Sequence, residues 1–337
     1  MKTVTKILVG VLVMLSNTII GQHKQAAFIP LKGNALYPEG ILALNDGSLL
    51  VGGFGDGSIQ KVQSGKEAVY FSAPGANGMT IAVGMAADTK NNRLWVANFN
   101  FKTASGKPGS NLKVFDLKTG NLLRTIPESY IEGVFFNEVV VQPDGNVYVT
   151  NTFGPQIWSA NFSSSAPTVF VEHELLSNPD PAQPFDLNGL SSTPDNEYLI
   201  ASVMDRLDAG DGRLVRIHLK SKEVTPIQLN GGGVAAFAGS DGMFFHNGIL
   251  YMVNVYAKAG AILTATFSNA YSSAELTVHL KHNDLYDRPT ASAISKGRLY
   301  TVNSQLNRII DDADGKLNTA PSLPFKVVSI PLSEIRK

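Results

Sequence analysis

Four oxygen-bearing residues recur in phase along this chain: Glu39, Asn137, Asn188 and Asp241. With Gly84 and Thr290 they mark six equivalent positions, spaced at intervals of roughly 45 to 53 residues. Two carboxylates and two neutral amides form a hard-oxygen ligand set of the kind Ca2+ takes. The carboxylates offset the charge of the ion, and the amides add donors without adding negative charge. No histidine or cysteine occupies these positions, so the softer zinc chemistry is disfavoured. Taken singly, Asn-Gly and Asp-Gly are ordinary turn formers. Here Asn188-Gly189 and Asp241-Gly242 precede the apolar runs, in the same phase as Glu39-Gly40. The hairpin turns fall later, at Asp46-Gly47, Asp144-Gly145 and Asn247-Gly248. The phase favours a site for Ca2+ or another divalent cation, with Gly84 and Thr290 leaving room for water and substrate.

Only a fold that returns the chain to one axis at each repeat can bring these residues together. Each position opens an apolar run that leads through a turn to a second run rich in β-formers, as in Phe136 to Val141, Pro143-Asp144-Gly145, then Val147-Tyr148-Val149. Several strands per repeat at this period mark the blade of a propeller. The sequence predicts an all-β, six-bladed β-propeller with a central channel, the starts of its innermost strands converging on the mouth. A closed ring needs its ends joined, and residues 26–31 are expected to pair with residues 325–330. The fifth unit is expected to be short, ending near Thr266.

Composition agrees with one sheet-rich domain. The 337 residues are 44% hydrophobic and 17% charged, and 31 glycines and 17 prolines suit many short turns. The 28 basic residues balance the 28 acidic ones, which gives no reason to expect nucleic acid or an anionic membrane surface as partner. There is no cysteine, hence no disulfide or thiol chemistry. Lys2 and Lys6 precede the apolar run from Ile7 to Leu15, followed by Ser16-Asn17-Thr18-Ile19-Ile20-Gly21, which reads as a secretory signal peptide over residues 1–21. The expectation is a secreted or periplasmic domain over residues 22–337, with no membrane contact after cleavage.

Other features are assigned bland roles. The loop at 177–184 is expected over the mouth, residues 205–212 as an acidic, glycine-containing loop ahead of Arg213, and the acidic run Asp311-Asp312-Ala313-Asp314-Gly315 as a solvated hairpin tip. His173, His218, His246, His279 and His282 lie off the six positions. No Gly-x-Ser-x-Gly elbow and no phosphate-cradling glycine loop occurs.

The motifs Pro38-Glu39-Gly40, Asn137-Glu138, Pro143 to Thr150, Asn188-Gly189-Leu190 and Asp241-Gly242-Met243, in that order and spacing, resemble the senescence-marker-protein/gluconolactonase/luciferin-regenerating-enzyme-like family. That family is related in fold to diisopropyl fluorophosphatase, paraoxonase and strictosidine synthase. The resemblance implies a divalent metal, usually calcium, held by Glu39, Asn137, Asn188 and Asp241, with Asp241 also the catalytic base or nucleophile. The chain departs from the pattern at Ile41 to Leu44 and at Glu138, and the substrate-contacting arginine of sugar lactonases has no evident counterpart. The expected activity is calcium-dependent hydrolysis of a small-molecule ester or lactone. Phe135, Phe136, Met243 and Phe244 are candidates for an apolar pocket or for strand core. The alternative is a non-catalytic propeller that binds a ligand or partner and keeps the metal as a structural plug.

Overall fold

The computed structural model describes residues 26–178, 180, 185–204, 212–254, 261–279, 285–310 and 317–335. The signal segment, the acidic run at 311–315, His282, and most of the loops at 177–184 and 205–212 lie outside the described residues.

The strands form six sheets, one per blade. Their innermost strands are Pro38–Ala43, Ile81–Asp88, Phe136–Val141, Leu187–Ser192, Met243–His246 and Pro289–Ser295. Each pairs antiparallel with the strand that follows it. The hairpins between them are set by the residues read from sequence. At Pro143-Asp144-Gly145, Gly145 adopts φ +88°, a left-handed conformation that costs glycine little, and Asp144 Oδ1 accepts a bond from the Asn146 amide at 2.9 Å.

The ring closes as expected. Ala27–Pro30 pairs antiparallel with Lys326–Pro331, with Phe28 opposite Val328 and Ile29 opposite Val327. The Leu31 amide adds a 2.8 Å bond to the Phe325 carbonyl. Blade six is therefore built from both ends of the domain.

Blade five differs from expectation. It continues past Thr266 into Ser273–His279, and Gln228–Asn230 adds a fifth strand in parallel on its outer edge. In Ser273–His279 the apolar residues alternate with polar ones, which turns Ala274 and Leu276 into the core while Glu275 and Thr277 face out. Between blades the core is filled by large side chains, among them Trp95, Phe99, Phe115, Phe136 and Tyr251, all essentially fully buried. Among the described residues, no helix is long and apolar enough to cross a membrane.

Candidate functional site

The six in-phase positions share one local device. In five blades the ladder between the innermost strand and its neighbour slips, between Pro38 and Ile41, Ala82 and Met85, Phe136 and Val139, Leu187 and Leu190, and Pro289 and Ser292. The residues lifted out of register are Glu39-Gly40, Val83-Gly84, Asn137-Glu138, Asn188-Gly189 and Thr290-Ala291. A bulge bends the strand and re-aims the side chains it frees. In blade five, Asp241-Gly242 lies just ahead of the strand, tied by the Asp241 amide to the Val253 carbonyl at 2.9 Å and by the Val253 amide to the Gly242 carbonyl at 3.1 Å.

The glycines at this level let neighbouring blades approach. A Cβ on Gly84 would lie 2.3 Å from the Asn137 carbonyl oxygen, and one on Gly189 would lie 2.2 Å from the Asp241 carbonyl oxygen. Thr290 Oγ1 donates to the Glu39 carbonyl and Thr150 Oγ1 to the Asn188 carbonyl, both at 2.7 Å. Gly84 and Thr290 thus fasten the ring, and Gly84 also lines the channel cavity.

Glu39, Asn137 and Asp241 line one cavity of about 430 Å³ in the channel, together with Glu138. The cavity follows the innermost strands to Ala43, Val141, His246 and Ile294 at their far ends. Asn188 joins the group through its side chain, which donates to the Asp241 carboxylate. All four predicted ligands are buried. Asn137 Nδ2 donates to Thr152 Oγ1 at 3.1 Å, which engages the donor end of that amide. Asn188 Oδ1 is buried and accepts no hydrogen bond within the protein. A buried acceptor left without a donor is costly, so this atom is free to accept from a water or to meet a cation.

The electrostatics have the same sense. Burial, then the charges of Asp241 and Glu138, hold the Glu39 carboxyl well above the usual range. Burial raises Asp241 to about 7, opposed by the Arg288 guanidinium and the bond from Asn188. Burial raises Glu138 to about 8; the Val139 amide opposes this and the Asp241 charge adds to it. Carboxylates in mutual range without enough positive charge retain protons until a cation offsets them. Among the described residues no group of three His, Cys, Asp or Glu side chains is disposed to hold a metal on its own. A cation here would draw on the mixed set of carboxylates and amides, which fits a hard ion such as Ca2+.

Three residues at the site escaped the sequence reading. Glu138 sits beside Asn137, but strict strand alternation would send it to the opposite side; the bulge cancels that alternation. Arg288 precedes blade six at φ +55°, and only folding brings its charge to bear on Asp241. His246 lies off the six positions yet lines the channel at the far end of its strand. Of the four apolar candidates, Met243 and Phe244 line the channel cavity. Phe136 is core, packed edge-on to Trp158 at 5.7 Å, and Phe135 stacks on Phe99 at 4.1 Å.

No known family model matches the sequence, and no curated protein matches it. Solved structures do match. Mala s 1, the major allergen of Malassezia sympodialis, is 15% identical over 92% of this chain and 97% of that chain, with a TM-score of 0.67. A gluconolactonase from Xanthomonas campestris is 11% identical over 92% of this chain and 90% of that chain, with a TM-score of 0.59. Virginiamycin B lyase from Staphylococcus aureus is 13% identical over 91% of this chain and 99% of that chain, with a TM-score of 0.57. One architecture serving a lactonase and a lyase does not select a chemistry by itself. The chain is a six-bladed β-propeller, sharing its fold with these proteins.

Proposed function

We propose that this protein is an exported, Ca2+-dependent hydrolase of small-molecule esters or lactones, its cation held by Glu39, Asn137, Asn188 and Asp241. The observation that carries the reading is the unpartnered, buried Asn188 Oδ1 beside two buried carboxylates whose proton affinity is raised. An oxygen-rich, under-neutralised set of this kind is what a hard divalent cation completes. The gluconolactonase among the structural neighbours is consistent with the proposal, at the level of fold.

When bound, the cation would supply Lewis acidity toward a substrate carbonyl oxygen. The protein's own groups do the rest. Asp241 takes a proton from water or attacks the carbonyl carbon directly. Asn188 orients that carboxylate by its hydrogen bond, and Arg288 favours the charged form. The Thr152 hydroxyl fixes the Asn137 amide. Burial of all four ligands keeps the reacting carbonyl away from bulk solvent, where each of these interactions would weaken.

The test is a panel of esters and lactones assayed with the mature protein, Ca2+-loaded and chelated, alongside Asp241→Asn. Turnover that requires the cation and disappears in the variant supports the proposal. Chelator-insensitive turnover, or full activity in Asp241→Asn, would remove this site from the chemistry. Export is tested separately, by N-terminal sequencing of protein recovered outside the cytoplasm.

A further inference from the structure

Six phenylalanine rings make a continuous arc at the end of the propeller where the proposed ligands lie. Phe54 meets Phe101 edge-on at 5.9 Å, and Phe101 meets Phe99 at 4.8 Å. Phe99 stacks on Phe135 at 4.1 Å, Phe135 meets Phe153 at 5.3 Å, and Phe153 lies parallel to Phe185 at 6.2 Å. These separations lie in the range of favourable ring pairs. The arc passes through blades one to four and keeps company with a ligand or its equivalent in each. The Phe54 amide bonds the carbonyl of Tyr37, two residues before Glu39. Phe99 is paired with Ile81, just ahead of Val83-Gly84. Phe135 precedes Asn137 by two residues, and Phe185 precedes Asn188 by three.

The base of this arc is buried, at Phe54, Phe99 and Phe135, but Phe101 is 54% exposed and Phe153 and Phe185 are half-buried. None of these rings lines the cavity of the proposed ligands, so the arc is an apolar surface at the mouth of a polar site, where polar groups can orient what an aromatic wall binds. Elsewhere on this protein, several accessible ring faces are covered by cations. Lys326 lies over exposed Phe28 at 4.4 Å, and Arg93 over Phe162 at 3.6 Å. Among the described residues no such cation covers a ring of the arc.

We infer that the arc is the binding wall for an aromatic group carried by the substrate, so that the enzyme acts on aryl or arylalkyl esters and lactones in preference to polyhydroxylated sugar lactones. The inference deepens the hydrolase reading and rests on it for the reaction, though not for the binding. A stacked aromatic ring buries apolar surface on both partners, whereas hydroxyls placed against the same wall lose their water without gaining partners.

The binding test uses 3-phenylpropionamide, which carries an arylalkyl group but no ester or lactone bond, titrated calorimetrically into the mature protein. The Phe101→Ala/Phe185→Ala variant is expected to bind about tenfold more weakly. Phe101→Leu alone, which keeps apolar area without a ring, should also lose affinity. Thermal melting checks the fold, and Phe101→Ala carries the test if the double variant is unstable. In kinetics, phenyl acetate should be preferred to gluconolactone, and the variants should raise KM for the aryl ester with kcat little changed. Undiminished binding in the double variant, or gluconolactone preferred with the variants indifferent, overturns the inference. Aryl binding that the variants weaken, with no turnover of any ester or lactone, supports the wall and overturns the hydrolase reading.

Discussion

Thr290 Oγ1 donates a 2.7 Å hydrogen bond to the backbone carbonyl of Glu39, joining blade six to blade one across 251 residues of chain. The bond fixes the backbone of a proposed ligand with a hydroxyl from the neighbouring blade. Thr150 does the same for Asn188. The site is therefore held by the ring as a whole, and ring stability and ligand geometry are two expressions of one set of contacts.

Thr290→Val keeps the shape of that side chain and leaves the Glu39 carbonyl without its donor. A loss of about 1–3 kcal/mol is expected, that being the usual cost of an unsatisfied buried group. Thr290→Ser should recover most of it. Urea unfolding at constant m-value measures both. A neutral Thr290→Val would mean that the inter-blade bond does not contribute.

Gly189→Ala should separate blades four and five at the level of the site, because its Cβ would fall 2.2 Å from the Asp241 carbonyl oxygen. Expected effects are a lower melting temperature and weaker cation binding together. Gly232→Ala is the control, since a Cβ there meets nothing within 4 Å. Its effect should stay within about 0.5 kcal/mol. Equal behaviour of the two variants would deny Gly189 its role in close approach.

Added Ca2+ should raise the melting temperature of metal-stripped protein. At a hundredfold excess over Kd the stabilisation is about 2.7 kcal/mol by mass action. Glu39→Gln and Asp241→Asn should each abolish most of the shift. A shift that survives in both variants would locate the ion elsewhere.

The metal-stripped protein should lose stability as pH rises. Glu138 titrates at about 8 in the folded chain against an ordinary 4.5, and Asp241 at about 7 against 3.8. Glu39 moves in the same direction. Between the unfolded and folded values the native state holds more protons, so the stability these groups contribute is complete below about pH 4 and lost by about pH 8. Ca2+ binds the deprotonated carboxylates, so its stabilising effect should grow over the same interval. Melting curves from pH 5 to 9, with and without Ca2+, measure both slopes. Glu138→Gln should flatten the metal-free slope, and a metal-free protein that gains stability across this range would refute the raised proton affinities.

Deleting residues 26–31 removes the strand that pairs with Lys326–Pro331 and leaves blade six with an open edge. Buried Ile29 and Leu31 leave the core with it. The cooperative transition should weaken and shift down by several degrees, as followed by calorimetry. A truncated protein that melts like the full domain would show that closure by this strand is dispensable.

The sequence by itself determined the repeat. Apolar alternation, turn dipeptides and a period near fifty residues are local signals, and they specified six blades, the closing strand and the phase of Glu39, Asn137, Asn188 and Asp241. These signals survive because a strand and its hairpin are decided by neighbours a few residues away. Tertiary structure alone decided what depends on approach between blades. Gly84 and Gly189 read as turn glycines or open space, yet they are packed against the carbonyls of Asn137 and Asp241. Glu138 reads as the outward partner of Asn137 until the bulge breaks the two-residue alternation. Arg288 and the arc from Phe54 to Phe185 join residues from separate blades, and no local pattern encodes which of them meet. Short-range periodicity sets the strands, and the curvature and bulges of the closed ring set the site.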